Sequence, residues 1–160
     1  MSAHSVHRFA RQSFTAEDYS VSLAPCPQPM AERRPLGVLL LEDDPLLRWA
    51  ITETLRLAGH RVIEAWDVVS AELGLSDAVD AMDVILFDGD LSDLPRRYLL
   101  ASVRQLARGR VIVMMTDDLA PATTTEAAWF GVHAVVVKPF EIGSIERVLR
   151  NACALPAANR

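Results

Sequence analysis

The chain is short of several things, and each shortage excludes something. No apolar run approaches the ~18 residues that a membrane span requires. The opening Met1-Ser2-Ala3-His4-Ser5-Val6-His7-Arg8 lacks the continuous apolar segment of a secretory signal. A cytoplasmic protein with no membrane partner is therefore expected. Cysteine occurs only at Cys26 and Cys153, in an expected tail and a terminal helix, so no structural disulfide is expected. No Cys or His stands at ligand spacing from either, and a metal site built on them is unsupported. Repeats and low-complexity tracts are absent. The net charge of −5 argues against a nucleic-acid partner, and Arg147 and Arg150 on the last helix read as a solvated face. Lysine is scarcer still: of 16 basic residues, only Lys138 is a lysine. A chain that elsewhere uses arginine keeps lysine where a compact ammonium is needed and a planar fork does not serve.

What is present is a chain of 160 residues, 51% apolar, enough for one domain with a real core. Residues 1–34 are polar and unpatterned, with Pro25, Pro27 and Pro29 alternating near their end. They are expected to form a disordered arm, because they bury too little apolar area to offset ordering entropy. From Pro35 the pattern becomes regular. Val38–Leu41, Arg61–Ala65, Val84–Phe87, Val111–Met115 and Ala134–Val137 read as strands, mostly continuous apolar runs of a sheet buried on both faces. Between and after them helices are expected from Pro45, over Val68–Leu75, from Pro95, over Thr123–Phe130 and over Ile142–Ala154. Strand and helix alternate five times with short connections, which implies a parallel sheet covered by helices on both sides. The domain is bounded at 35–155, leaving 156–160 as a tail.

The chain is organised around Asp83-Val84-Ile85-Leu86-Phe87-Asp88-Gly89-Asp90. An unpaired carboxylate is costly inside a buried strand, so Asp88 is expected where the strand breaks surface. In parallel α/β sheets ligands bind at that carboxyl end. Gly89 is read as the residue that lets the chain turn, and Asp90 brings a second carboxylate within reach. Right-handed crossovers put Glu42, Asp43, Asp88, Thr116 and Lys138 on the same edge. Converging carboxylates repel one another unless a cation sits among them, and oxygen ligands without Cys or His favour Mg²⁺ together with phosphate oxygens. Asp88 is the candidate nucleophile, since a carboxylate can accept a phosphoryl group as an acyl phosphate. Glu42 and Asp43 are expected to hold the metal with Asp88, and the Asp90 backbone carbonyl to complete its shell. Thr116 and Lys138 are expected to meet phosphoryl oxygens with a hydroxyl and a point charge.

The segments Leu39-Leu40-Leu41-Glu42-Asp43-Asp44-Pro45-Leu46-Leu47-Arg48, Asp83-Val84-Ile85-Leu86-Phe87-Asp88, Met115-Thr116 and Val137-Lys138-Pro139-Phe140 resemble the receiver domain of two-component response regulators. Gly59-His60-Arg61-Val62 and Ala65 fit the same template, and the likeness covers about Leu36 to Ala154. It implies a flavodoxin-like (βα)5 doubly wound parallel sheet with strand order 2-1-3-4-5. It also implies that Asp88 accepts phosphate from a histidine kinase or histidine phosphotransfer protein and that output passes through a downstream protein. Such a protein is not an enzyme beyond its own aspartyl phosphorylation and dephosphorylation. Ending after one domain, the chain is expected to be a stand-alone receiver.

Departures from the family pattern set further expectations. Ser92 stands where receivers usually carry proline, with Pro95 arriving later; Asp117 replaces the small residue after the threonine; Val135 replaces the Tyr or Phe three residues before the lysine. Asp117, Val135 and Pro139 are therefore the candidate modulators, and a degenerate receiver acting as a constitutive interaction module is the alternative. A haloacid dehalogenase-type phosphatase is less well supported, because that motif belongs on a first strand and needs another acidic pair after the lysine. Asp44 is read as a helix cap rather than a ligand, Asp118 as a solvated charge, and His60 and His133 as turn residues without catalytic roles. Trp49, Trp66 and Trp129 are read as covering helix faces or a partner, with Trp129-Phe130 as an apolar docking pair.

Overall fold

A computed structural model describes residues 34–76, 78–91 and 94–154. The arm expected over 1–34, apart from Arg34, the tail over 156–160, Cys26 and Ser92 lie outside the described residues.

Among the described residues five strands and five α-helices alternate: β1 (Gly37–Leu41), α1 (Pro45–Leu57), β2 (Arg61–Ala65), α2 (Val68–Ser76), β3 (Val84–Asp88), α3 (Arg96–Ala107), β4 (Val111–Thr116), α4 (Pro121–Trp129), β5 (Ala134–Val137) and α5 (Ser144–Ala154). The strands form one parallel sheet in the order β2-β1-β3-β4-β5, the flavodoxin-like order that the family resemblance implies. No helix among the described residues is long and apolar enough to cross a membrane.

The period of two along each strand divides the core into two layers. Val38 and Leu40, Val84 and Leu86, and Val113 and Met115 face α1 and α5, where they meet Ile51, Leu55, Ile145, Val148 and Leu149. Leu39 and Leu41, Ile85 and Phe87, and Ile112 and Met114 face α2, α3 and α4, packing with Leu75, Leu99, Val103 and Ala127. Every residue of β1, β3 and β4 is buried. That explains their unbroken apolar runs, whereas the outer strands β2 and β5 are only partly covered.

Local signals bound α1 at both ends. Asp44 Oδ1 accepts the Leu46 and Leu47 N–H groups at 2.8 and 2.9 Å, capping α1. Gly59 closes that helix at φ +87°, a conformation that favours glycine. Two starts differ from the sequence reading. α4 begins at Pro121, two residues before Thr123, because proline suits a first helical position. α5 begins at Ser144 rather than Ile142, after a turn in which the Ser144 N–H bonds Glu141 O.

The register sets the functional edge. Leu41 pairs with Phe87 and Asp88 with Met115, so Glu42 emerges beside Asp88. Thr116 pairs with Val137, and the next residue, Lys138, donates its N–H to Thr116 O at 2.8 Å.

Candidate functional site

At the carboxyl ends of β1 and β3 the structure brings together three carboxylates. One oxygen from each of Glu42, Asp43 and Asp88 lies within 4.8 Å of the others. Glu42 is 1% and Asp88 4% exposed, and Asp43 is the more accessible of the three. Backbone N–H groups hold the two buried ones: Asp44 N–H to Glu42 Oε1 at 3.1 Å, and Asp90 N–H to Asp88 Oδ1 at 2.9 Å. The Arg48 guanidinium steadies the loop between β1 and α1 by donating to the Glu42 carbonyl at 2.7 Å. From β5, Lys138 Nζ reaches Asp88 Oδ2 at 2.8 Å and stands 3.9 Å from Glu42 Oε2.

This arrangement has a deficit of positive charge. Glu42 Oε2 is buried and accepts no hydrogen bond. Burial, and then the Asp88 charge, push the Glu42 carboxyl up to about 7, against the opposing pull of the Asp44 N–H and Lys138. Burial lowers the Lys138 ammonium, but its hydrogen bond to Asp88 and the surrounding carboxylates outweigh this and raise it above its ordinary value. A pocket of oxygen donors with one buried oxygen unsatisfied fits a hard divalent cation such as Mg²⁺. Asp44 is not in the cluster; its carboxylate is occupied as the α1 cap.

Thr116, fully buried at the end of β4, belongs to a second layer of bonds. Its hydroxyl oxygen accepts the Asp118 N–H at 3.1 Å. Asp90 Oδ2 accepts the Asp117 N–H at 3.0 Å, and Asp90 Oδ1 the Arg96 guanidinium at 2.7 Å. Burial acts to raise the Asp90 carboxyl, yet the Asp117 N–H, Arg96 and Thr116 together hold it below its ordinary value. The Asp117 residue is exposed while its N–H is anchored. Val135 is half-buried against the α2, α3 and α4 layer, and Pro139, joined to Lys138 by a cis peptide bond, is exposed.

Several local expectations need correction or addition. Gly89 lies in the turn after β3, as read, but without a left-handed backbone. What it supplies is room, since a Cβ there would meet Met114 Sδ at 2.8 Å, while its N–H bonds Met115 O at 2.7 Å. Asp118 is not simply a solvated charge: it pairs with Arg96 at 3.1 Å, accepts the Thr123 hydroxyl at 2.6 Å and accepts the Ala120 N–H at 2.8 Å. These bonds lower its carboxyl to about 2, the Thr123 hydroxyl contributing most. Arg150 is not on a solvated face either, but binds Glu146 at 2.8 Å. His60 is buried, and its Nδ1 accepts the Leu36 N–H at 3.0 Å. Of the Trp129-Phe130 pair, only the tryptophan is open, 80% exposed, while Phe130 packs on the core. Arg96 is the participant that sequence reasoning missed. Its only signal is its place directly after Pro95, at the start of a helix pointing from the same edge.

The model of the response regulator receiver domain matches residues 38–150. Response regulator protein FleR of Pseudomonas aeruginosa is 33% identical over 117 residues, 72% of this chain but 24% of FleR. The chain thus spans about a quarter of that relative's length. Among solved structures, chemotaxis response regulator CheY4 of Vibrio cholerae is similar at 25% identity and a TM-score of 0.63, over 74% of this chain and 99% of that one. The non-phosphorylated HemR receiver domain from Leptospira biflexa is similar in fold at 22% identity and a TM-score of 0.66, over 77% of this chain and 97% of that one.

Proposed function

The chain belongs to the response regulator receiver family of two-component signalling, and from that membership we propose that it is a phosphoacceptor whose acceptor is Asp88. The donor is a histidine kinase or histidine phosphotransfer protein. An Asp88 carboxylate oxygen forms the bond to phosphorus as the donor's P–N bond breaks, and the imidazole leaves with the electron pair. The observation that carries this reading is Lys138 Nζ at 2.8 Å from Asp88, beside a buried Glu42 oxygen with no hydrogen bond. Glu42, Asp43, Asp88 and the Asp90 carbonyl would hold Mg²⁺, which when bound neutralises the carboxylates and attracts phosphoryl oxygens. Lys138 supplies a point charge to one phosphoryl oxygen and Thr116 a hydroxyl to another. The protein performs no chemistry beyond gaining and losing this group, works in the cytoplasm, and passes its signal to a protein partner.

The haloacid dehalogenase-type alternative loses its footing, since Asp88 closes the third strand of a receiver fold. The degenerate-module reading rests on Ser92, Asp117 and Val135, the last having a stiff χ1 and no ring to rotate; the acceptor residues themselves are all present. Intact-mass measurement after incubation with Mg²⁺ and acetyl phosphate tests the proposal. Wild-type protein should gain one phosphoryl group, and Asp88→Asn or EDTA should abolish the gain. Incorporation that survives both would sink the assignment.

Asp117 extends this reading. Exposed just beyond Thr116, it adds negative charge on the side from which an anionic donor arrives. Asp117→Ala should speed both loading from acetyl phosphate and loss of phosphate, with the loading gain shrinking as salt rises. Unchanged rates across a salt series would make Asp117 a bystander.

A further inference from the structure

For Thr116 to donate to a phosphoryl oxygen on Asp88, its hydroxyl must shift, and with it the turn formed by the next two residues. Asp90 anchors that turn by accepting the Asp117 N–H at 3.0 Å. Asp90 is not free to drift, because Arg96 grips it at 2.7 Å. The same guanidinium holds Asp118 Oδ2 at 3.1 Å and Thr123 Oγ1 at 2.7 Å, and its Nε lies 3.4 Å from Gly89 O. Thr123 is a buried residue of α4, and its hydroxyl closes the ring by donating to Asp118 at 2.6 Å. Asp118 in turn donates its N–H to Thr116 Oγ1 at 3.1 Å. Arg96 thus clamps both carboxylates tied to the turn after Thr116: Asp90, which holds the Asp117 N–H, and Asp118, whose own N–H holds the Thr116 hydroxyl. The clamp ends on a helix.

We propose that Arg96 is a positioning residue: through Asp90 and Asp118 it holds the Thr116 hydroxyl in the unloaded arrangement, and through Thr123 it couples release of that hydroxyl to α4. The inference rests on the phosphoacceptor reading and names how that site is regulated. It assigns to a polar latch the coupling that an aromatic rotamer at position 135 cannot supply in this chain. Charge-assisted bonds of a guanidinium to carboxylates are strong and geometrically demanding. The unloaded state is therefore defined, and loading has to work against it.

Thr123 is the place to test this, because its hydroxyl belongs to the latch, carries no charge and touches no expected ligand of metal or phosphate. Beryllofluoride is the phosphoryl mimic, titrated at saturating Mg²⁺ and followed by two-dimensional amide NMR on the full chain. Thr123→Val should tighten beryllofluoride binding by about five-fold, the scale of a typical coupling between sites, while Mg²⁺ affinity without beryllofluoride stays at the wild-type value. Thr123→Ser, which keeps the hydroxyl, should restore wild-type affinity. Without any ligand, the Asp117, Asp118 and Ala120 amides should exchange faster in Thr123→Val than in Thr123→Ser. Wild-type beryllofluoride affinity in Thr123→Val, or equal effects of Val and Ser, would overturn the latch and leave the acceptor reading intact. If the wild-type protein itself fails to bind beryllofluoride at saturating Mg²⁺, the acceptor reading falls and the latch falls with it.

Discussion

The two ends of one sheet treat charge in opposite ways. At the amino ends of β1, β2 and β3, polar groups are matched: Arg34 with Asp83 at 2.6 Å, Arg150 with Glu146 at 2.8 Å, and His60 between the Leu36 N–H at 3.0 Å and Glu146 at 3.3 Å. At the carboxyl ends of β1 and β3, three carboxylates cluster, Glu42 and Asp88 share the Lys138 ammonium, and a buried Glu42 oxygen accepts no hydrogen bond. The strands are the same strands, so the difference is not one of fold. It separates groups that close the domain from groups kept unbalanced for something that arrives. Neutralising substitutions should therefore have opposite signs at the two ends, and that is the way to break the comparison.

The largest effect is expected at the matched end. The Leu36 N–H can only donate, so His60 Nδ1 must accept and the ring proton sits on Nε2, toward Glu146. His60→Ala leaves a buried N–H without an acceptor and a void where the ring was. A loss of about 2–3 kcal/mol is expected, read as a lower urea midpoint with unchanged slope. A variant as stable as wild type would show that His60 does not close this end.

At the unmatched end, the sign reverses. Glu42→Gln removes a buried charge crowded by Asp88, keeps an oxygen for the Asp44 N–H, and offers amide hydrogens to the neighbouring carboxylates. In EDTA the variant should be more stable than wild type by about 1 kcal/mol, since removing a poorly compensated buried charge relieves strain in the folded state. In Mg²⁺ the order should invert, because the substituted site binds metal weakly and gains less from it. A loss of stability in EDTA would mean that the Glu42 charge is already satisfied, and the contrast between the two ends would disappear.

How much of this is legible from residues alone follows from where each partner lies. The layering of the sheet is local: four apolar residues in Val38–Leu41 or Val84–Phe87 already specify strands buried on both sides, and Pro45 with Asp44 specifies a helix start. The gathering of Glu42, Asp88, Thr116 and Lys138 is non-local, yet it could be read because a parallel sheet puts every strand end on one edge. The latch and the matched end could not. Arg96 meets Thr123 across 27 positions, His60 meets Glu146 across 86, and Arg34 meets Asp83 across 49. No periodicity relates such pairs, since their meeting depends on the length and direction of individual side chains after the backbone has folded. Gly89 was legible only in part: the turn could be read from glycine beside Asp88, but the close approach of Met114, which calls for glycine too, could not.

The smallest effect sharpens the comparison through pH. Asp83 accepts the Gly37 N–H at 2.8 Å and two bonds from the Arg34 guanidinium. Burial acts to raise its carboxyl, but the Arg34 and Gly37 bonds outweigh burial and hold it below its ordinary value. A carboxylate depressed in the folded state stabilises the fold above its unfolded value, near 4, and that contribution is lost as pH falls through the lower folded value. Glu146 is depressed likewise by Arg150 and His60, so this end weakens on acidification. Arg34 is mostly exposed, so solvent screens much of the pair and Asp83→Asn should cost only about 0.5–1 kcal/mol at pH 7. Asparagine still offers an oxygen to the Gly37 N–H, which confines the loss to the charge. The gap between wild type and Asp83→Asn should therefore close as pH falls below about 4, and narrow at pH 7 in high salt. A gap of constant size from pH 7 to pH 3 would assign the stabilisation to hydrogen-bond geometry instead of charge, and the matched end would then differ from the carboxylate pocket in packing alone.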